Sequence, residues 1–196
     1  MKTSVDLPGI RNITISGRIG AGATTLAEKL SKELIWNLLE GGEIFAKIHK
    51  ELNISQVDVL RRPDSFDLNF EAQIKKTLSE EKHQIIQSHL AGFDAQGIDG
   101  VFKILVICRD EKGDDKADIR IDRLMNRDGA LLEEAKNEIF EREKEMLEKF
   151  RKLYAENDKN WVYWDSKYYD LIVNTYSHNK QEAVQFTLKE IGYKKR

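Results

Sequence analysis

The sequence predicts an α/β protein in which a parallel sheet lies between two layers of helices. Three observations predict this fold. Short β-branched segments alternate with longer helical segments. Two of the short segments, "HQIIQ" and "FKILVIC", are apolar in the manner of strands covered on both faces. The first short segment leads through a glycine-rich turn into a helix. At 196 residues the chain is long enough for one well-buried domain, and we expect residues 1–196 to form one.

The N-terminal segments follow this alternation. "RNITIS" is a short strand candidate that ends at Gly17. After the turn, leucines recur every fourth residue, which predicts a helix; its end, "LIWNLL", could instead form a second strand. These leucines are Leu26, Leu30, Leu34 and Leu38. Residues 43–82 are helical in pattern with a break near Pro63, because the residue before a proline disfavours the α region.

The second half of the chain contains a long charged helical region, residues 114–156, with one apolar stripe. The stripe comprises Leu132, Ala135, Ile139, Met146, Phe150 and Leu153. "YYDLIVNT" predicts a further strand. A last helix begins at Asn179, with Glu182 at capping-box spacing, and ends at Gly192.

The charge composition argues against two classes of partner. The chain has 32 Lys and Arg against 34 Asp and Glu, for a net charge of -2, which gives no electrostatic reason to expect a nucleic acid polymer or a membrane. The first residues lack the apolar core of a secretory signal. The one cysteine, Cys108, ends an apolar run and is expected to be buried. We expect a cytoplasmic protein that is a monomer or a weak dimer.

The segment "GRIGAGATT" resembles a phosphate-binding loop. The pattern is G-x-x-x-x-G-K-[ST] between a strand and a helix, and Gly17, Gly22 and Thr24 occupy three of its four fixed positions. Backbone N–H groups and the start of a helix would favour phosphate, and the Thr24 hydroxyl is placed to bind Mg²⁺. The predicted nucleotide-binding residues are Gly17, Arg18, Ile19, Gly20, Ala21, Gly22, Ala23, Thr24 and Thr25. The alternative is a glycine-rich turn that only packs a helix onto a sheet.

The loop lacks the lysine of the pattern, because Ala23 occupies its position. The backbone groups that bind phosphate do not depend on this side chain, so nucleotide binding can survive. Transition-state stabilisation does depend on charges aimed at the γ-phosphate. Arg18 inside the loop is one candidate to supply that charge, and arginines from a closing lid are others.

Further segments extend this resemblance along most of the chain. They are "GGEIFAKI", "RPDSFDLNFEAQI", "QSHLAGF", "IDRLMNRDG", "EREKEMLEKFRKLY" and "YDLIVNT". With the loop, they resemble the P-loop nucleoside monophosphate kinases, most closely the archaeal-type cytidylate kinases. The resemblance implies a three-layer P-loop NTPase fold with two helical insertions, acceptor-binding helices at about 43–82 and a lid at about 112–145. It also implies ATP and Mg²⁺ as cofactors and a nucleoside monophosphate, CMP or dCMP, as the acceptor.

The resemblance assigns roles to individual side chains. Asp67 and Glu71, four residues apart, would help to select the cytosine base, and His89 and Gly92 lie in the predicted acceptor-binding segment. The catalytic arginines would be Arg18 and three on the lid. Those three are Arg123, Arg127 and Arg142. The alternative for the lid arginines is a solvated helix face with ion pairs to nearby glutamates, and for His89 a strand-end residue with one hydrogen bond.

Three positions depart from the family pattern. Ala46 and His89 stand where the family has arginines, and Gln87 replaces an acid. A planar guanidinium binds a phosphate with two hydrogen bonds, which an imidazole cannot reproduce. Besides the monophosphate kinase, the departures leave two hypotheses open: a catalytically weak nucleotide-binding or regulatory protein, and a small-molecule kinase with another acceptor.

Overall fold

A five-stranded parallel sheet forms the centre of the protein, in the order β2-β3-β1-β4-β5. The computed structural model describes residues 3–194, apart from the side chain of Asp128. The strands are β1 (Asn12–Gly17), β2 (Asn37–Glu40), β3 (Gln84–Gln87), β4 (Val101–Ile107) and β5 (Leu171–Asn174). Every residue of β1 is buried, as expected for the central strand of a sheet with helices on both faces. The predicted three-layer α/β fold is confirmed.

Helices connect the strands and cover both faces of the sheet. They are α1 (Ala23–Leu34), α2 (Gly41–Glu51), α3 (Asp64–Glu80), α4 (Ala91–Asp94), α5 (Ala117–Asp128), α6 (Leu132–Asn137), α7 (Glu143–Tyr154) and α8 (Lys180–Glu190). A π-helical segment, Glu138–Arg142, joins α6 to α7, and a 3-10 turn, Val59–Arg61, precedes α3. No helix among residues 3–194 has both the length and the apolar character needed to cross a membrane.

One face of the sheet is covered by α1 and α8. Leu26, Leu30 and Leu34 of α1 are buried in this core, while Leu38 belongs to β2. The alternative of a second strand at the end of that leucine pattern is therefore the correct one. The Asn179 side chain caps α8, and the Glu182 carboxylate accepts the Asn179 N–H at 2.8 Å, so the predicted capping box is confirmed.

The other face carries α3 and α4. Phe70 and Ile74 of α3 pack with Ile86 of β3. Met146 and Phe150 of α7 pack in a separate cluster. The predicted apolar stripe of residues 114–156 needs one correction: Leu132, the first residue of α6, is 46% exposed, because this short helix packs through Ala135 one turn later. Cys108 is buried, as predicted.

Candidate active site

A cavity of about 580 Å³ opens at the carboxyl edge of the sheet, where parallel α/β proteins bind ligands. We call one part the loop end: residues 17–25, Arg123, Leu124, Asn126, Arg127, Thr175, His178, Asn179 and Lys180. We call the other part the helix end: Gly41, Gly42, Phe45, Arg62, Glu71, Gln87, Ser88, His89, Leu90, Arg142, Met146 and Phe150. Of the residues predicted from the sequence, all nine loop residues, the three lid arginines, Glu71 and His89 line this cavity.

The backbone of the loop is open to an anion. The N–H groups of residues 22–25, at the start of α1, have no hydrogen-bond acceptor among the described residues, and neither do the hydroxyls of Thr24 and Thr25. Gly20 has φ +74, and a Cβ there would lie 2.7 Å from the Arg120 carbonyl oxygen, so only glycine fits. Free N–H groups at a helix start form a phosphate-binding arrangement.

Arg18 is held by two acidic side chains, Glu143 of α7 and Asp115, which precedes α5. Its Nε donates to Glu143 at 2.8 Å, its Nη1 lies 3.2 Å from Asp115, and its guanidinium lies over the Trp164 ring. A guanidinium with two carboxylate partners has little charge left to offer a nucleotide, although Arg18 does line the cavity.

A buried ion network extends from Arg18. Arg120 is 1% exposed, and its Nη1 donates to Glu143 at 2.9 Å and to the Ile19 carbonyl at 2.8 Å. Its Nη2 donates to Asp115 at 2.7 Å. The network therefore fastens the loop to α5 and α7. In the sequence Arg120 is a weaker candidate of the same kind as Arg123 and Arg127, whereas nothing local distinguishes Glu143 from the other glutamates; the structure shows that both side chains are buried.

Arg123 and Arg127 lie on α5 beside the loop. Arg123 Nη1 donates to Thr175 Oγ1 at 2.8 Å, and its Nη2 donates to the Thr175 carbonyl at 2.8 Å. Thr175 Oγ1 in turn donates to the Ala21 carbonyl at 2.7 Å. Arg123 therefore braces the loop as well as lining the cavity, and Arg127 lines the cavity from the next turn of the same helix.

Arg142 enters the cavity from the π-helical segment. Its Nη1 donates to Glu138 at 2.6 Å. Its Nε is buried and has no hydrogen-bond partner among the described residues. A buried donor without a partner is uncommon, because it costs about 1–3 kcal/mol. Arg142 therefore lines the cavity with one carboxylate partner and one buried donor that is unused among the described residues.

His89 joins the two ends of the cavity as a neutral ring. Its Nδ1–H donates to the Gly17 carbonyl at 2.9 Å and lies 3.2 Å from Tyr163 Oη. Burial, and then the positive charge of Arg142, lower the pKa of His89 to about 4. At neutral pH the ring carries no charge and presents Nε2 as an acceptor, so His89 cannot replace a phosphate-binding arginine.

Two of the predicted substrate-binding residues do not line the cavity. Asp67 is fully buried, and its carboxylate accepts from Arg62 Nε at 3.1 Å and lies 3.1 Å from Lys149 Nζ. Gly92 donates its N–H to Ser16 Oγ at 3.0 Å, and a Cβ there would collide with the Tyr169 ring. In this structure Asp67 is a counter-ion inside the fold and Gly92 is a close-packing position.

Glu71 does line the helix end, and the pKa of its carboxyl group is raised. It is 4% exposed, and its Oε2 has no hydrogen-bond partner among the described residues. Burial raises the pKa of Glu71 well above its usual value, and the nearby Asp94 carboxylate raises it further. Glu71 therefore retains its proton to a higher pH than an exposed glutamate, and a neutral carboxyl group both donates and accepts hydrogen bonds.

Comparisons with known proteins identify the family to which this chain belongs. A sequence model described as the cytidylate kinase-like family matches residues 12–177. The chain belongs to this family. It is 31% identical over 182 residues to a cytidylate kinase of Ignicoccus hospitalis, covering 91% of this chain and 97% of the relative. It is 27% identical over 178 residues to a cytidylate kinase of Methanosarcina acetivorans, covering 88% and 91%. The resemblance inferred from the sequence motifs is confirmed.

Solved structures support the fold of this cytidylate kinase-like protein. An uncharacterised protein from Eubacterium ventriosum superposes with a TM-score of 0.62 at 22% identity, covering 94% of this chain and 99% of the other. Shikimate kinase from Acinetobacter baumannii superposes with a TM-score of 0.53 at 14% identity, covering 93% of each chain. At these identities the similarity concerns the fold alone, which is that of the P-loop kinases.

Proposed function

We propose that the protein transfers the γ-phosphoryl group of ATP to a nucleoside monophosphate, with CMP or dCMP as the preferred acceptor. The observation that carries the proposal is a single cavity in which free loop N–H groups and an arginine-lined pocket face the same space. The names of the archaeal relatives support the cytosine base. In this proposal residues 1–196 act as one kinase domain, with residues 43–82 around the acceptor and residues 112–145 as the lid.

The loop end fits the phosphates of ATP. The unpartnered N–H groups of residues 22–25 would bind phosphate oxygens, and the Thr24 hydroxyl is a suitable oxygen ligand for Mg²⁺. The described residues contain no group of three acidic, histidine or cysteine side chains that could hold a metal alone. Phosphate and water oxygens would supply further ligands. Bound Mg²⁺ would neutralise phosphate charge.

Phosphoryl transfer needs positive charge more than a protein base. An oxygen of the acceptor phosphate, already anionic, attacks the γ-phosphorus in line, and the bond to the β–γ bridging oxygen breaks to release ADP. Arg142 is our primary candidate to stabilise this charge, because it lines the cavity and its Nε has no hydrogen-bond partner in the part of the chain that the structure describes. Arg127 and Arg123 would add positive charge from α5, where a loop lysine would otherwise act.

The helix end would select the base through Glu71. A neutral carboxyl group offers one donor and one acceptor, which matches the N3 acceptor and the amino group of cytosine. Asp94 is also buried and its pKa is raised by burial, so the two acids favour a proton between them. Asp67, which the sequence placed in this role, would act only indirectly, through Arg62.

The proposal is tested by incubating the protein with MgATP and each nucleoside monophosphate in turn, and measuring ADP and nucleoside diphosphate. We expect turnover to be fastest with CMP or dCMP. The control is ATP alone, which measures hydrolysis without an acceptor. Turnover only on another monophosphate would contradict the cytosine preference.

A second candidate function is nucleotide binding without catalysis, in a regulatory role. It is favoured by Ala23 and by the two acidic partners of Arg18, which leave the loop without a free side-chain cation of its own. Measurable ATP binding without turnover on any monophosphate would support this candidate. ATP-dependent turnover of a non-nucleotide acceptor would instead show a small-molecule kinase.

A further inference from the structure

Arg62 places a positive charge at the helix end of the cavity, and no sequence motif assigned a role to this side chain. The side chain is 4% exposed and lines the cavity. Its guanidinium lies over the Phe45 ring, 4.1 Å from the ring centroid. Its neighbour Arg61 is 68% exposed and pairs with Asp58 at the surface. The two adjacent arginines therefore have different environments, and only Arg62 faces the cavity.

The hydrogen bonds of Arg62 hold it in place without using all of its donors. Nε and Nη2 donate to the two oxygens of Asp67, at 3.1 and 2.5 Å. Nη1 lies 2.8 Å from Nε2 of His49, whose Nδ1–H donates to the Ser55 carbonyl. A guanidinium has five N–H groups. Two N–H groups of Arg62 therefore remain without an acceptor among the described residues.

The charges around Arg62 do not cancel. Lys149 is 1% exposed and also contacts Asp67, with its Nζ at 3.1 Å. Two buried cations therefore share one fully buried carboxylate. Lys149 also lies 3.6 Å from Asp64, but that carboxylate is 37% exposed and binds Lys152 at 2.7 Å. An excess of buried positive charge destabilises the folded protein unless an anion binds nearby and neutralises it.

A second guanidinium, that of Arg142, lines the same cavity. Burial is the main cause of the lowered pKa of His89, and the charges of Arg142 and Arg62 lower it further. Both cations therefore act on the same ring, Arg142 from the π-helical segment and Arg62 from the turn before α3. The position next to Phe45 is Ala46, where the side chain carries no charge.

We propose that Arg62 binds the phosphate of the acceptor monophosphate, supplying from the turn before α3 the cation that position 46 lacks. The inference rests on the proposed function, since it names a contact of the acceptor in that site. Asp67 and His49 fix the guanidinium by hydrogen bonds, and the Phe45 ring supports its face. The two remaining N–H groups bind phosphate oxygens. Asp67 is then a positioning residue, and its carboxylate does not touch the acceptor.

The test compares Arg62→Gln and Arg62→Lys with the exposed control Arg61→Gln. For each variant, KM is measured for CMP and for ATP, and equilibrium binding is measured for CMP and for cytidine, which lacks the phosphate. We expect Arg62→Gln to raise KM for CMP about 100-fold, since charge-assisted hydrogen bonds to phosphate are lost. KM for ATP and the affinity for cytidine should change less than about threefold. Arg62→Lys should raise KM for CMP about tenfold, and Arg61→Gln should leave all four values unchanged.

Several results would overturn the inference. A purely structural role would lower the melting temperature and weaken CMP and cytidine binding equally. If the wild type phosphorylates CMP and Arg62→Gln has an unchanged KM for CMP, then Arg62 does not bind the acceptor phosphate. The proposed function would still hold. A wild type that neither binds nor phosphorylates any monophosphate would remove both. If Arg62→Gln does not fold, Arg62→Lys decides: an unchanged KM for CMP would contradict the proposal.

Discussion

The two ends of the cavity are built from different parts of the polypeptide. The loop end presents mainly backbone N–H groups of residues 22–25, and its shape depends on glycines such as Gly20. The helix end presents side chains, among them Arg62, Glu71 and Arg142. The position and charge of each side chain depend on its buried neighbours. A site formed by backbone N–H groups keeps its geometry when one side chain is replaced, as at Ala23, which occupies the lysine position of the pattern. A side-chain-built site must be rebuilt when one residue changes.

The largest expected effect concerns the transferred charge. Because Ala23 leaves the loop without a lysine, Arg142→Gln should lower kcat by about 1000-fold, the lower range found for arginines that stabilise phosphoryl transfer. Stopped assays with CMP and MgATP would measure it. The matched control is Lys144→Gln, an exposed cation on the following helix. A kcat within about threefold of the wild type would show that another group stabilises the negative charge of the transition state.

A smaller effect is expected on stability at the helix end. Asp67→Ala removes the carboxylate shared by Arg62 and Lys149 and leaves two buried cations together. The free energy of unfolding should fall by about 3 kcal/mol, as measured by urea denaturation. Asp58→Ala, which breaks an exposed ion pair, should change it by less than about 1 kcal/mol. Equal losses in the two variants would show that the buried cluster contributes no more than a surface pair.

A third effect separates two loop residues. Thr24→Ala should lower MgATP-dependent turnover about tenfold, since a hydroxyl contact to the metal is lost. Arg18→Ala should affect turnover less and lower the melting temperature more, because Arg18 is bound to Glu143 and Asp115. The assignment of Thr24 to the metal would be contradicted by equal losses of turnover in the two variants.

The last effect is a pH dependence of stability, confined to acidic solution. The folded pKa of His89 is about 4, below its usual value of 6.5, so the folded protein takes up this proton less readily than the unfolded chain. The stability that His89 contributes is therefore complete above pH 6.5 and is lost as the pH falls toward 4. Between pH 6.5 and 4, the free energy of unfolding should therefore decrease less steeply in His89→Gln than in the wild type. The same pH dependence of the free energy of unfolding in both proteins would show that the His89 ring is not held in its uncharged form by the fold.

Elements with local signals were predictable from the sequence. The α8 capping box needs only Asn179 and Glu182, three residues apart, and the structure confirms it. The leucine pattern before β2 was ambiguous, because Leu38 fits a helix and a strand equally until its pairing with Ile85 is known. The exposure of Leu132 was not predictable, since spacing gives a helix face but not what covers its first turn.

The same distinction explains which site residues could be found. The loop was recognisable, because glycine and threonine spacing determines its backbone. Asp67 and Glu71 share a helix face by spacing, but Lys149 of a distant helix covers Asp67 and leaves only Glu71 in the cavity. Arg62 could not be told from Arg61 by any local pattern, since burial by α2 and α7 distinguishes them.

We propose that a loop without lysine still delivers a phosphoryl group to a monophosphate bound at the helix end. The most direct measurement follows the label from ATP labelled at the γ-phosphate, in a single turnover with CMP, dCMP or another nucleoside monophosphate. We predict that the label appears in CDP or dCDP and that this transfer is lost in Arg142→Gln. Bound ATP with no labelled diphosphate from any monophosphate would contradict it.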